Sequence, residues 1–311
     1  MNTVFVIDAD GKPLLPTHPA RSRKLLRNGK ATVEQVVPFT ISLKRKVDNP
    51  VGSFVVGVDD GAKHVGIAVK NEKTDEVVFR GQIDLRQDVS RKMEQRRNYR
   101  KTRRFRLRNR QPRFSNRTGS KLVPSIRCRK NSILRVLADL AKRLNIVKVI
   151  VEEVKFNHAK YSYGRWFSLV EVGKKYLKNQ IEKMGYTYSK SLGYISKSAR
   201  EHLGLSKTHS NDAIAIVCNE TPELYCLAYN IKPKRSKIWE NNPTRKCTEK
   251  NGFQHYDLVK VFHSTRGTVI GSVRSLKAKQ LTLRTTWDDN FAVSYKKSVV
   301  LQRFGGLVYV W

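Results

Sequence analysis

Apolar and polar positions along the chain change period several times, and each change marks an element. The first block opens with VFVID, a strand-like run, followed by a D-A-D-G-K-P turn. A basic helical pattern, ARSRKLLRNGKATV, comes next, with Gly29 as its stop, and PFTISL reads as a second strand. From Ser53 the pattern becomes FVVGVDDGAKHVGIAVK and then DEVVFRGQI: three β-rich runs joined by short turns carrying Gly or Asp. Such spacing predicts an antiparallel meander.

Further on, Ile133, Leu134, Val136, Leu137, Leu140, Ala141 and Leu144 form an amphipathic stripe behind Ser132, a candidate cap. IVKVIV (146–151) is a buried strand ending at Glu152. A second helical pattern runs from Leu169 to Met184 and stops at Gly185, YTY is a short strand, and THSNDAIAIVC begins a further helix. The order β-β-β, α, β, α, β, α predicts an α/β domain. After Thr221 the chain turns to Pro, Lys and Asn, and then to short runs such as DLVKVFH, GTVIGSVRSL, KQLTLRT and GGLVYVW. Their regular turn punctuation predicts a small β barrel or sheet.

One block fits neither period. Residues 91–117 hold 13 Lys/Arg and one acid, Glu94, with no proline before Pro112. Good helix formers predict a long helix here, but its arginines point to every face, so core packing does not explain it. The charge of the whole chain changes the picture further. With 62 Lys+Arg against 26 Asp+Glu, 311 residues carry a formal net charge of +36, and 39% of them are hydrophobic. That is enough apolar material for a core, which excludes a disordered basic tail, and enough positive charge to require a polyanion, for which nucleic acid is the match. Cys128, Cys218, Cys226 and Cys247 form no C-x-x-C pair, so neither a disulfide framework nor a zinc ribbon is expected. No apolar stretch approaches 18 residues, and a cytoplasmic, nucleoid-associated setting is expected rather than secretion or a membrane.

In so basic a chain the acids at element ends are informative. Asp59 ends FVVGV, Glu152 ends IVKVIV, and Asp212 lies one helical turn after His209. If the strands share one sheet, Asp59 and Glu152 emerge at the same edge. Three carboxylates together need a cation, and hard oxygen donors suit two Mg²⁺ ions, or Mn²⁺. Such a pair activates water on one side of a phosphodiester and stabilises the departing oxygen on the other. His209 has the chemistry to orient or deprotonate that water, or to help the leaving group. His18, His64, His158, His202, His255 and His263 lack paired metal spacing and read as surface or structural groups.

These segments also carry a resemblance. GVDDGAKHVGIAV (57–69), VIVEEVKFN (149–157) and HSNDA (209–213) resemble the first, second and third RuvC motifs. A RuvC nuclease split by an Arg-rich bridge helix is similar to Cas9 and to transposon-encoded relatives of the IscB group. DADGKPLLP (8–16), RSRKLLRNGKA and PFTISL resemble the PLMP domain of IscB and IsrB proteins, with Leu15 in place of the name-giving Met. Between Asn157 and Tyr186 there is no room for an HNH nuclease, so the chain resembles the HNH-lacking IsrB family.

The resemblance implies an α/β protein with an RNase H-like RuvC nuclease split by the bridge helix, an N-terminal PLMP-like unit and a C-terminal β-rich nucleic-acid-binding domain. The expected limits are 1–52 for the PLMP-like domain, 53–88 for RuvC part I and 89–118 for the bridge helix. RuvC parts II and III then occupy 119–225, and the β-rich domain 226–311. It further implies an RNA-guided DNA endonuclease, a Mg²⁺-dependent nickase of the non-target strand, with Asp59, Glu152, His209 and Asp212 as catalytic residues and the three acids as metal ligands. Expected partners are a guide ωRNA and double-stranded target DNA with a short adjacent motif, bound by a monomer within a ribonucleoprotein. Arg96, Arg97, Arg100, Arg103, Arg104, Arg106, Arg108, Arg110 and Arg113 would contact the nucleic acid. A non-cleaving binder and a guide-free RuvC-like junction resolvase are the rival readings.

Overall fold

The computed structural model describes residues 3–48, 52–106, 122–153, 165–218, 220, 224, 226–233, 249–285, 287–288 and 290–310. The chain divides into two compact units, Gly52–Ala228 and a second made of Met1–Val51 with Tyr229–Trp311.

The first segment forms β1 (Val4–Ile7), β2 (Pro13–Thr17), α1 (Pro19–Arg27), β3 (Ala31–Gln35) and β4 (Thr40–Leu43). Its sheet runs β2-β1-β4-β3, with β1 and β4 parallel. Buried Asp8 holds the predicted turn, its Oδ1 accepting from Asp10 N at 2.9 Å and Lys12 N at 2.8 Å. Helix α1 starts on Pro19 and ends before Gly29, whose φ of +65° turns the chain back. The ATV that follows the Gly29 stop begins strand β3, with Ala31 in the core beside Val4, Val6, Ile41 and Leu43.

The central unit contains β5 (Phe54–Asp59), β6 (His64–Asn71), β7 (Val77–Asp84), α2 (Val89–Arg106), α3 (Pro124–Ala141), β8 (Ile146–Glu153), α4 (Arg165–Lys183), β9 (Thr187–Leu192), α5 (Gly193–His202) and α6 (His209–Val217). The order is β7-β6-β5-β8-β9. The first three strands form the predicted antiparallel meander, and β8 and β9 add in parallel on the other side of β5. This is a mixed α/β arrangement, an antiparallel meander extended by two parallel strands.

Alternation along the strands separates two faces. Val55 of β5, Ala68 of β6 and Ile150 of β8 pack with Ala213, Ile214 and Val217 of α6. Val56, Val58, Ile67, Val149 and Val151 turn the other way, and the α3 stripe Ile133, Val136, Leu137 and Leu140 is fully buried.

Two expectations are corrected here. Ser132 does not cap α3, because the helix starts two turns earlier on Pro124; its hydroxyl donates back to Cys128 O at 3.0 Å. Helix α5 was not anticipated: its apolar signal is weak because the side chains it buries are Ser196 and Arg200.

The late segment contributes β10 (Ala228–Pro233), the two-residue strands β11 (Glu249–Lys250) and β12 (Phe253–Gln254), β13 (Leu258–His263), β14 (Gly267–Leu276), β15 (Gln280–Arg284), β16 (Phe291–Ser294), β17 (Ser298–Gln302) and β18 (Leu307–Val310). As predicted from its turns, this segment is β-rich. An antiparallel sheet runs β16-β15-β14-β13-β17, and β18 pairs with β10. Fully buried Asp257 accepts from Gln254 N and Phe304 N, each at 2.9 Å, and from Arg303 Nη1 at 2.8 Å, so its charge is matched. The two ends of the chain meet where Gln302 Oε1 accepts from Val36 N and Val37 N at 3.1 and 2.9 Å. Among the described residues, no helix is long and apolar enough to cross a membrane.

Candidate active site

The sheet register brings the first two motifs together. In the parallel β5–β8 ladder Gly57 lies opposite Ile150 and Val58 opposite Val151, so Asp59 and Glu152 end adjacent strands at one level. Counting by twos from Val55 and Ile150 puts both carboxylates on the face covered by α5 and α6. The second member of each acidic doublet faces away: Asp60 is paired with Lys130 of α3, and Glu153 Oε1 accepts from Tyr188 Oη at 2.5 Å. Strand alternation thus puts Glu152, rather than Glu153, on the same face as Asp59.

The third motif arrives on α6. Thr208 caps the helix, its hydroxyl accepting from Asn211 N at 3.2 Å, which places His209 and Asp212 in the first turn. The helix lies so close to the sheet that a Cβ at Gly66 would run into the backbone carbonyl of His209. A Cβ at Gly61 would likewise meet the His64 carbonyl, with the His209 imidazole 3.1 Å away. These glycines are the conditions under which His209 Nδ1 comes 2.5 Å from Asp59 Oδ2.

Each carboxylate is held differently. Asp59 is 9% exposed, and burial pushes its carboxyl up to about 6; the His209 hydrogen bond opposes that shift, and the charges of Glu152 and Asp212 add to it. Glu152 Oε2 accepts from Ser196 Oγ at 2.6 Å. Asp212 Oδ1 lies 2.7 Å from Arg200 Nε in an ion pair. That Nε makes no aligned hydrogen bond, so the contact is one of charge, while Nη1 donates to Leu205 O at 3.2 Å. Ser196 and Arg200 both belong to the unanticipated α5, and no sequence signal marked them as partners of the acids.

Among the described residues no three His, Cys, Asp or Glu side chains form a group close enough to share one metal ion. The donor chemistry nevertheless fits a hard divalent cation: Asp59 and Glu152 offer carboxylate oxygens on one face, and burial, with the charges of Glu152 and Asp212 adding to it, disfavours an ionised Asp59 that a bound cation would stabilise.

His64, read from the sequence as a surface or structural group, lies close to this site. Its Nδ1 lies 2.9 Å from Asp84 Oδ1, and its ring centre is 5.8 Å from that of His209.

Helix α2 has an unusual surface. It carries nine Lys/Arg against Glu94 and buries none of its residues, and Tyr99 and Phe105 are 69% and 89% exposed. Arg96, Arg97, Arg100, Arg103, Arg104 and Arg106 lie on it; Arg108, Arg110 and Arg113 lie outside the described residues.

Comparison with solved structures finds RuvC of Thermus thermophilus. In complex with Holliday junction substrate it is 16% identical, with 53% of this chain and 90% of that one covered and a TM-score of 0.33. A second structure of Thermus thermophilus RuvC gives 15%, 53%, 90% and 0.30. The intasome of simian T-cell lymphotropic virus with PP2A regulatory subunit B56 gamma follows at 9% identity, 84% and 85% coverage and 0.15. Comparison with curated proteins gives no match. The model of the RRXRR protein family matches residues 4–173, more than half of the 311-residue chain, and the protein belongs to that family.

Proposed function

We infer that this protein is a Mg²⁺-dependent, RNA-guided DNA nuclease that nicks the non-target strand, as its resemblance to IsrB implies. The observation that carries the reading is the meeting of three distant motifs on one face of the sheet: Asp59, Glu152 and the His209–Asp212 turn. The RRXRR family, whose domain is found in IscB- and IsrB-like proteins, supports the same assignment.

Asp59 and Glu152, with Asp212 beside them, are the residues that would hold the metal. Bound Mg²⁺ or Mn²⁺ would supply a lowered water pKa and charge neutralisation at the phosphate. His209, fixed through Nδ1 by Asp59, leaves Nε2 to orient or accept a proton from the attacking water. Ser196 holds Glu152 in place, and Arg200 balances Asp212.

The α2 surface supports the guide-binding part. None of α2 is buried, so packing does not stabilise it, and its like charges at i, i+4 repel. A phosphate backbone relieves that repulsion, so the arginines of α2, with Arg108, Arg110 and Arg113 beyond it, would hold a guide ωRNA. The β-rich late segment would read a short motif beside the target, in a cytoplasmic ribonucleoprotein with one copy of the chain.

The test is a plasmid assay with protein purified together with co-expressed ωRNA. A supercoiled plasmid with a guide-matched target should open to circles in Mg²⁺, with little linear product, and Asp59→Ala should abolish nicking while retaining RNA. Nicking by Asp59→Ala at the wild-type rate would sink the site. Nicking unchanged without RNA would point to a guide-free resolvase, and RNA binding with no cutting by wild type would leave a binding protein.

A further inference from the structure

The reading above leaves the departing oxygen to the metal ions and, with His209 on the water side, names no proton donor for it. His64 is unused, although the fold builds it into the same site. It begins β6 directly opposite Asp84 of β7, and its Nδ1 is 2.9 Å from Asp84 Oδ1. Gln82 closes the group, its amide nitrogen 3.1 Å from His64 Nδ1 and 3.3 Å from Asp84 Oδ1. With Nδ1–H donating to the Asp84 carboxylate the ring is fixed, and Nε2 is the end turned away from that pair, on a side chain 34% exposed.

Position gives this pair its meaning. Counting by twos along β6, His64 shares the α6-covered face with Gly66 and Ala68. Its ring centre is 5.8 Å from that of His209, and Gly61, in the turn just after Asp59, lies against the His64 carbonyl and the His209 ring. Two imidazoles, each tied to a carboxylate through Nδ1, therefore flank the turn that follows Asp59. Displacement at a phosphodiester is accelerated by removing a proton from the attacking water and by delivering one to the leaving oxygen on the opposite side of phosphorus. A single histidine cannot stand on both sides in one step.

We propose that His64, held by Asp84, is the proton donor to the departing 3′ oxygen; the proposal rests on the nuclease reading. In the step, the water oxygen forms the new P–O bond and the P–O3′ bond breaks. Its electron pair stays on the 3′ oxygen, which takes the Nε2 proton of protonated His64. The water's proton passes to solvent, and His64 is reprotonated from solvent after product leaves.

Replacing the departing oxygen with sulfur tests this, because a thiolate leaves without a proton. The nick position is first mapped with the wild-type ribonucleoprotein, and duplexes are then made with either an ordinary phosphodiester or a 3′-bridging phosphorothiolate there. Under single-turnover conditions His64→Gln should slow cutting of the phosphodiester about 10²-fold, the low end for general acid catalysis. It should cut the phosphorothiolate at the wild-type rate and bind DNA with unchanged affinity. Asp84→Asn, which leaves the imidazole in place, should show a smaller loss with the same selectivity and serves should His64→Gln fold poorly. Equal slowing on both duplexes, or none on either, overturns the His64 assignment and leaves the nuclease intact. Failure of the wild type to cut either duplex overturns both.

Discussion

Ionised Asp59 should destabilise the metal-free protein, and Asp59→Asn should reveal by how much. Burial, helped by Glu152 and Asp212, raises the carboxyl from its ordinary 3.8 to about 6 in the folded state. Below the unfolded value both states carry the proton and nothing is gained or lost. Between the two values the folded state binds more protons than the unfolded one, so stability falls as pH rises. Above about 6 both states are ionised and the cost is complete: at about 1.4 kcal/mol for each pKa unit, it is about 3 kcal/mol at neutral pH. Asparagine keeps the shape and an acceptor for His209 but never ionises. In chelator at pH 7.5, Asp59→Asn should therefore be more stable than wild type by about 1–3 kcal/mol, and the two should converge near pH 4. Urea unfolding followed by circular dichroism, with hydrogen exchange of the β5 amides to assign the transition, reads both quantities. Mg²⁺ should narrow the gap by stabilising wild type alone. If the variant is no more stable in chelator at pH 7.5, or loses stability between pH 4 and 6 as wild type does, the burial argument is wrong.

Two further outcomes follow from the packing. Glu152→Gln should lower nicking at least 10²-fold, whereas Glu153→Gln should keep it and cost about 1 kcal/mol for the weakened Tyr188 hydrogen bond, measured by denaturation beside the plasmid assay. Gly66→Ala should lower stability by about 1–3 kcal/mol, because the new methyl meets the His209 carbonyl and α6 must shift. A calorimetric scan shows the loss, and the shift should also reduce nicking.

Local pattern made much of the central unit legible. Val and Ile runs broken by Gly and Asp mark β5, β6 and β7 because the side-chain period of a strand is two, and the α3 stripe shows the helical period. The lack of any apolar face on α2 was equally plain. Helix α5 escaped because its buried positions are Ser and Arg, which carry no hydrophobic signal. Ser132 misled because a good capping residue is also tolerated inside a helix, where its hydroxyl bonds back to the preceding turn.

The sequence by itself determined which residues have the chemistry: a few acids at element ends, a histidine one turn from Asp212, and arginines in excess of any core. Only the tertiary structure decided who meets whom. The β5–β8 register set Asp59 and Glu152, both already singled out in the sequence, side by side and sent Asp60 and Glu153 to the other face. Close seating of α6 over Gly66 brought His209 to Asp59 across 150 residues, and the β6–β7 ladder gave His64 its carboxylate. The physical reason is that periodicity and capping act over a few residues of chain, whereas register and helix seating depend on burying whole faces, which local sequence does not encode.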